Sequence, residues 1–140
     1  MTRRANILLV EDSAGDVMLT REAIAELELP IDLSVARDGE AALELVASSP
    51  RPDLILLDLN LPKMNGKEVL SELKSSDRLK TIPVIVLSTS MAPEDVRRCY
   101  ELHANCYVTK PTNLERFIDM IRRIADFWLD LATLAREASS

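Results

Sequence analysis

The side chains able to do chemistry fall at four places: Glu11 with Asp12, then Asp58, then the hydroxyl run Ser88, Thr89 and Ser90, and finally Lys110. Each of the four places begins within two residues of the end of a short apolar run: Ile7 to Val10, Leu54 to Leu57, Val84 to Leu87, and Cys106 to Val108. If these runs are adjacent strands, three carboxylates, a hydroxyl cluster and an ammonium share one edge of a sheet. Like charges brought that close need a cation between them. The donors are all oxygen, with no histidine or thiol at hand, which favours magnesium over zinc. Lys110 would lie two strands from Asp58, about 10 Å of sheet at ~4.8 Å per strand. A lysine stem covers much of that distance, so its charge can meet a phosphoryl group held between them. Singly, each element has a plainer explanation, as a solvated loop before a helix cap, a turn acid or a polar strand exit. Their joint placement at successive strand exits is what argues for a site.

The elements that would position them alternate. Ile31 to Ala36 supplies one more, weaker strand run, and continuous runs of this length suit strands buried on both faces of a parallel sheet. Between the runs lie amphipathic segments near 14–28, 39–48, 66–75 and 94–102, and a long one from about 113 to 136. Ser13-x-x-Asp16 and Thr112-x-x-Glu115 match the capping-box pattern, and Asn65-x-x-Glu68 is its Asn variant. Pro93 followed by Glu94 and Asp95 reads as a first helical turn with acids against the helix dipole. Five such strand–helix units predict a doubly wound α/β fold. With the flavodoxin-like strand order 2-1-3-4-5, the first and third strands are neighbours and ligands bind outside their carboxyl ends.

The bulk numbers agree with one domain over residues 1–140. Hydrophobic residues make up 47%, too many for a disordered chain, and a net charge of −6 argues against nucleic acid as partner. No segment reaches the roughly 18 apolar residues of a membrane span, and the start has no secretory-signal pattern. Cys99 and Cys106 lack metal-ligand or redox spacing, so space-filling thiols in a reducing cytoplasm are expected.

The segments ILLVEDS, DLILLDLNLPKMNG, VIVLSTS and YVTKP resemble the receiver domains of bacterial two-component response regulators, over nearly the whole chain. The resemblance implies that Asp58 accepts a phosphoryl group from the phosphohistidine of a sensor kinase. It also implies that Glu11, Asp12 and Asp58, with the backbone carbonyl of Asn60, hold Mg2+, while Ser88 and Lys110 engage the phosphoryl oxygens. Tyr107 matches the family's aromatic switch position, and is expected to turn inward as Ser88 moves toward the phosphate. Glu11 and Ser88 stand where aspartate and threonine are common, and both keep the needed chemistry.

The last segment raises a further expectation. A stripe of Leu114, Phe117, Ile118, Ile121, Ala125, Trp128 and Ala132 would pack on the sheet, but Phe127, Trp128, Leu129, Leu131 and Leu134 cannot share one helical face. Exposed apolar area of this kind marks association. A homodimer through Phe127, Trp128, Leu131 and Leu134 is therefore expected, against the alternative of a tail folded back on its own domain. The Asp126-Phe127-Trp128-Leu129 stretch is similar to the small regulators paired with bacterial phytochromes, which implies a phytochrome-type kinase partner. With no output domain after Ser140, a stand-alone regulator signalling by protein–protein contact or phosphorelay is expected.

Three other functions place different demands on these residues. A magnesium-dependent phosphatase of the haloacid dehalogenase type would want a second aspartate where Asn60 stands. A flavodoxin-like cofactor binder would want a hydroxyl- and glycine-rich loop where Glu11 and Asp12 stand. A receiver acting as a phosphate sink without effector shares every motif.

Overall fold

A computed structural model describes residues 4–48 and 50–135. The five apolar runs form strands β1 (Ala5–Val10), β2 (Ile31–Ala36), β3 (Leu54–Asp58), β4 (Val84–Ser88) and β5 (Cys106–Thr109). All pair in parallel, in the order β2-β1-β3-β4-β5. β3 and β4 are buried along their whole length, as a parallel sheet covered on both faces demands. Leu8, Val10, Ile55, Leu57, Val84 and Val86 point to one face, and Ile7, Leu9, Leu54, Leu56, Ile85 and Leu87 to the other. The alternation within each run follows from the two-residue period of a strand.

Helices cover both faces. α2 (Gly39–Ser48), α3 (Gly66–Ser75) and α4 (Pro93–Glu101) bury Ala42, Val46, Val69, Leu70, Leu73 and Cys99 on the first face. α1 (Ala14–Ala25) and α5 (Leu114–Ala125) bury Val17, Ala23, Phe117, Met120, Ile121 and Ile124 on the second. Each large apolar side chain of this kind contributes about 1.5–3 kcal/mol when fully buried. Cys99 and Cys106 lie in the clusters of opposite faces, with the sheet between them, and burial pushes both thiols up. Both fill space.

Several boundaries differ from the sequence reading. α1 stops at Ala25, not 28; Leu27 and Leu29 look periodic but pack against the core from the following loop. α5 is capped by Asn113, whose side chain accepts from the Arg116 N–H, rather than by Thr112. Asn is the better cap, and it stands one residue farther from Pro111. Leu114 is 54% exposed and leaves the expected stripe, while Met120 and Ile124 join it.

The long last helix is regular only to Ala125. Asp126–Leu131 continues as a π-helical turn, giving 18 helical residues over 114–131, and the chain is non-helical from 132 to 135. The Ala132 N–H donating to the Phe127 carbonyl at 2.7 Å, five residues back, is the signature of that turn. Beyond it the chain comes back to the domain, where Arg51 donates to the Ala135 carbonyl at 3.3 Å. The end of the expected 113–136 segment lies outside the described residues.

Candidate functional site

Strand order reverses between β1 and β3, so the crevice outside their carboxyl ends is where this fold places ligands. Register brings the site together there. Val10 pairs with Leu57, which sets Glu11 beside Asp58, and Asp58 in turn pairs with Leu87, one residue before Ser88. The Lys110 N–H donates to the Ser88 carbonyl at 2.7 Å, anchoring the exit of β5. Glu11, Asp12 and Asp58 each present a carboxylate oxygen, all within 4.8 Å of one another. Glu11 and Asp58 are buried and Asp12 is exposed, so the cluster opens to solvent on one side.

Lys110 crosses the expected gap. Its Nζ donates to Glu11 Oε1 at 2.5 Å and to Asp16 Oδ2 at 2.9 Å, and stands 3.6 Å from Asp58 Oδ1. Burial lowers its tendency to stay charged, but the hydrogen bonds it donates to Glu11 and Asp16 outweigh this and hold its pKa above the ordinary lysine value. Burial pushes the Glu11 carboxyl up to about 7; Lys110 offsets part of the rise and the charge of Asp58 adds to it. The second Glu11 oxygen, Oε2, accepts from the Ser13 N–H at 3.2 Å. Oxygen donors, a buried carboxylate short of compensating charge and an open side make this cluster fit for a divalent cation.

The hydroxyl side of the site is equally organised. Ser88 is buried, and its Oγ accepts from the Ser90 N–H at 3.1 Å. Ser90 Oγ donates to Asp95 Oδ2 at 2.6 Å, and Lys67 Nζ donates to Asp95 Oδ1 at 2.8 Å, tying the start of α4 to that of α3. Asn60, Asn65, Lys67, Ser88, Ser90 and Asp95 line an open cleft next to the acids. Tyr107 is half-buried against the first core face, and its hydroxyl donates to the Ser90 carbonyl at 2.8 Å.

Two residues of the site escape the sequence reading. Asp16 looks like the acidic half of a capping box, and Ser13 Oγ does accept from the Asp16 N–H at 3.2 Å. The reciprocal bond to the Ser13 N–H comes from Glu11 instead, which releases the Asp16 carboxylate to Lys110. Gly66 is the other. A Cβ there would lie 2.4 Å from the Asp58 carbonyl oxygen and 2.6 Å from Leu59 Cα. Only the absence of a side chain lets α3 start against the back of Asp58.

The chain belongs to the response-regulator receiver family: the model of the response regulator receiver domain matches residues 7–122. It is a signalling protein of the two-component type. It is 48% identical over 134 residues to response regulator Rcp1 of Synechocystis sp., covering 91% of each chain. Among solved structures, the phosphorylated cyanobacterial phytochrome response regulator RcpA matches with a TM-score of 0.93 and 46% identity, over 96% of this chain and all of that one. The Mn2+-bound form of Rcp1 matches with a TM-score of 0.90 and 47% identity, over 94% and 99% of the two chains.

Proposed function

We propose that Asp58 is the phosphoacceptor of a magnesium-dependent response regulator, and that its phosphoryl donor is the phosphohistidine of a phytochrome-type kinase. The observation that carries the reading is the convergence on Asp58, from separate strand exits, of two further carboxylates, a buried hydroxyl and a lysine. An Asp58 carboxylate oxygen attacks phosphorus, the P–N bond to the kinase imidazole breaks, and its electron pair stays on the imidazole nitrogen. Lys110 supplies positive charge beside the incoming phosphoryl oxygens, and the Ser88 hydroxyl is free to donate to one of them. Glu11, Asp12 and Asp58, with the Asn60 carbonyl, would hold Mg2+, which supplies charge neutralisation at the transferring group. Tyr107 then reports the change at Ser88 through its hydroxyl bond to Ser90. The likeness to Rcp1 and to the phytochrome regulator RcpA supports the choice of kinase. The acidic charge supports a partner other than nucleic acid, and among the described residues no helix is long and apolar enough to cross a membrane. The proposed compartment is the cytoplasm.

Acetyl phosphate and Mg2+ followed by intact-mass measurement test the acceptor. Wild type gains one phosphoryl mass and Asp58→Asn gains none; an equal gain in both overturns the assignment. Steady turnover of a generic phosphate ester would instead favour the phosphatase reading. Phosphotransfer from an autophosphorylated phytochrome kinase, faster than from an unrelated histidine kinase, tests the donor.

We also propose that two copies associate through the last helical turn, where Phe127 is 48% and Leu131 76% exposed. Trp128 is half-buried and stacks edge-on against Phe127 with ring centroids 5.1 Å apart, and Leu134 is half-buried beyond the helix. These two therefore add less to the surface than the sequence suggests. Light scattering at micromolar concentration should give a dimer mass that falls to monomer in Phe127→Glu/Leu131→Glu; a wild-type monomer refutes it.

A further inference from the structure

Lys110 meets more acid than the three-carboxylate cluster supplies. An ammonium has three protons to give. One goes to Glu11 Oε1, one to Asp16 Oδ2, and the remaining side of Nζ faces Asp58 Oδ1 at 3.6 Å. Asp16 stands in the first turn of α1, held by the Ser13 cap, and is not among the three residues whose oxygens converge within 4.8 Å. The two acceptors of Lys110 therefore have different fates when a divalent cation enters. Glu11 has a cation to serve, and its bond to Lys110 is the one that must weaken. Asp16 has no such demand on it, and its bond survives.

We infer that Asp16 is a positioning residue for Lys110. It holds the ammonium beside Asp58 while the acid cluster is engaged with a divalent cation, and it keeps that ammonium from competing for Glu11. This rests on the metal-site reading given above. The plainer view of Asp16, whose side chain is 29% exposed, is one more negative charge adding to the local field. The two views differ in one respect. A field acts on the cation whether or not Lys110 is present, whereas a tether acts only through Lys110.

A double-mutant cycle separates them. Mg2+ affinity is measured by calorimetry on wild type, Asp16→Asn, Lys110→Met and the double variant. The Ser13 cap accepts from the Asp16 backbone N–H, so Asp16→Asn preserves the helix start, while its uncharged amide holds an ammonium far less strongly than a carboxylate does. The expected result is a loss of about tenfold in Mg2+ affinity on Asp16→Asn, shrinking to about threefold or less when Lys110 is Met. A second readout does not depend on the Lys110 variant folding. In the Mg2+-loaded wild type the Lys110 ammonium should give a slowly exchanging proton–nitrogen NMR signal, and Asp16→Asn should lose it. Equal affinity losses in both backgrounds, or an ammonium signal unchanged in Asp16→Asn, overturn the inference and leave the metal site standing. A wild type that takes up no Mg2+ overturns the metal-site reading itself, and the inference falls with it.

Discussion

Replacing Gly66 with alanine should damage phosphoryl acceptance far more than it damages folding. The added Cβ would sit 2.4 Å from the Asp58 carbonyl oxygen, against the roughly 3.4 Å at which ordinary contact begins. Relief therefore requires about 1 Å of movement between α3 and the end of β3. Alanine gains about 1 kcal/mol of helix propensity over glycine, and overpacking of this sort costs about 1–3 kcal/mol. The net stability loss should be at most about 2 kcal/mol. A 1 Å misplacement of a reacting group, however, can cost about 100-fold in rate. Gly39→Ala is the matched control: its Cβ would lie 2.2 Å from the Met64 carbonyl oxygen, a comparable clash that does not touch Asp58 directly. Urea unfolding gives the stability of both variants, and the time course of mass gain with acetyl phosphate gives the rate. Two variants with equal rate loss, or a Gly66→Ala that phosphorylates within about threefold of wild type, would refute the reasoning that Gly66 seats the acceptor.

Three more outcomes follow from local geometry. Lys63 holds a left-handed backbone with φ 66°, and its ion pair with Asp38 at 3.7 Å involves a lysine 61% exposed, so Lys63→Gly should stabilise by about 0.5–1 kcal/mol in urea; a loss contradicts this. Asn65 caps α3 by accepting from the Glu68 N–H at 3.0 Å, so Asn65→Ala should cost about 1 kcal/mol while Asn65→Asp stays near wild type, and equal melting of the two variants would remove the cap from the account. Lys74 donates to the Lys80 and Ile82 carbonyls and to Asn105 Oδ1, and burial pulls its pKa from 10.5 to about 8. Between those values the unfolded chain binds the extra proton, so wild type should gain stability relative to Lys74→Met as pH rises from about 8 to 10. A gap between the two that ignores pH would show that Lys74 keeps its proton when folded.

The strands and the acids at their exits were legible because one physical demand produced each signal, whereas the strand order came only with the fold class. A strand sandwiched between helices must be apolar on both faces, so Leu54 to Leu57 and Val84 to Leu87 stand out as unbroken runs, and the first polar residue after each marks the open edge. Asn65 and Pro93 announced their helices for the same reason, since a helix start needs its N–H groups answered. What stayed hidden depended on contacts between distant segments. Leu27 and Leu29 keep a helical rhythm yet pack from a loop. Asp16 finds its partner in Lys110, 94 residues on. Gly66 reveals its purpose only when the Asp58 carbonyl is behind it. The break at Asp126 has no local marker, because every residue there is compatible with an ordinary helix.

That break has a consequence for how this surface could change. A π turn is an α-helix carrying one extra residue, and each residue of a helix advances the next by about 100°. A π turn absorbs one extra residue, so deleting a single residue between 126 and 131 should return the turn to the α pattern and leave the chain after 131 where it stands. Within the turn, the aromatic and leucine side chains would be re-seated around the axis without any change of chemical type. Insertion or deletion within the turn would thus rearrange the exposed apolar side chains Phe127 and Leu131 without altering the composition around them.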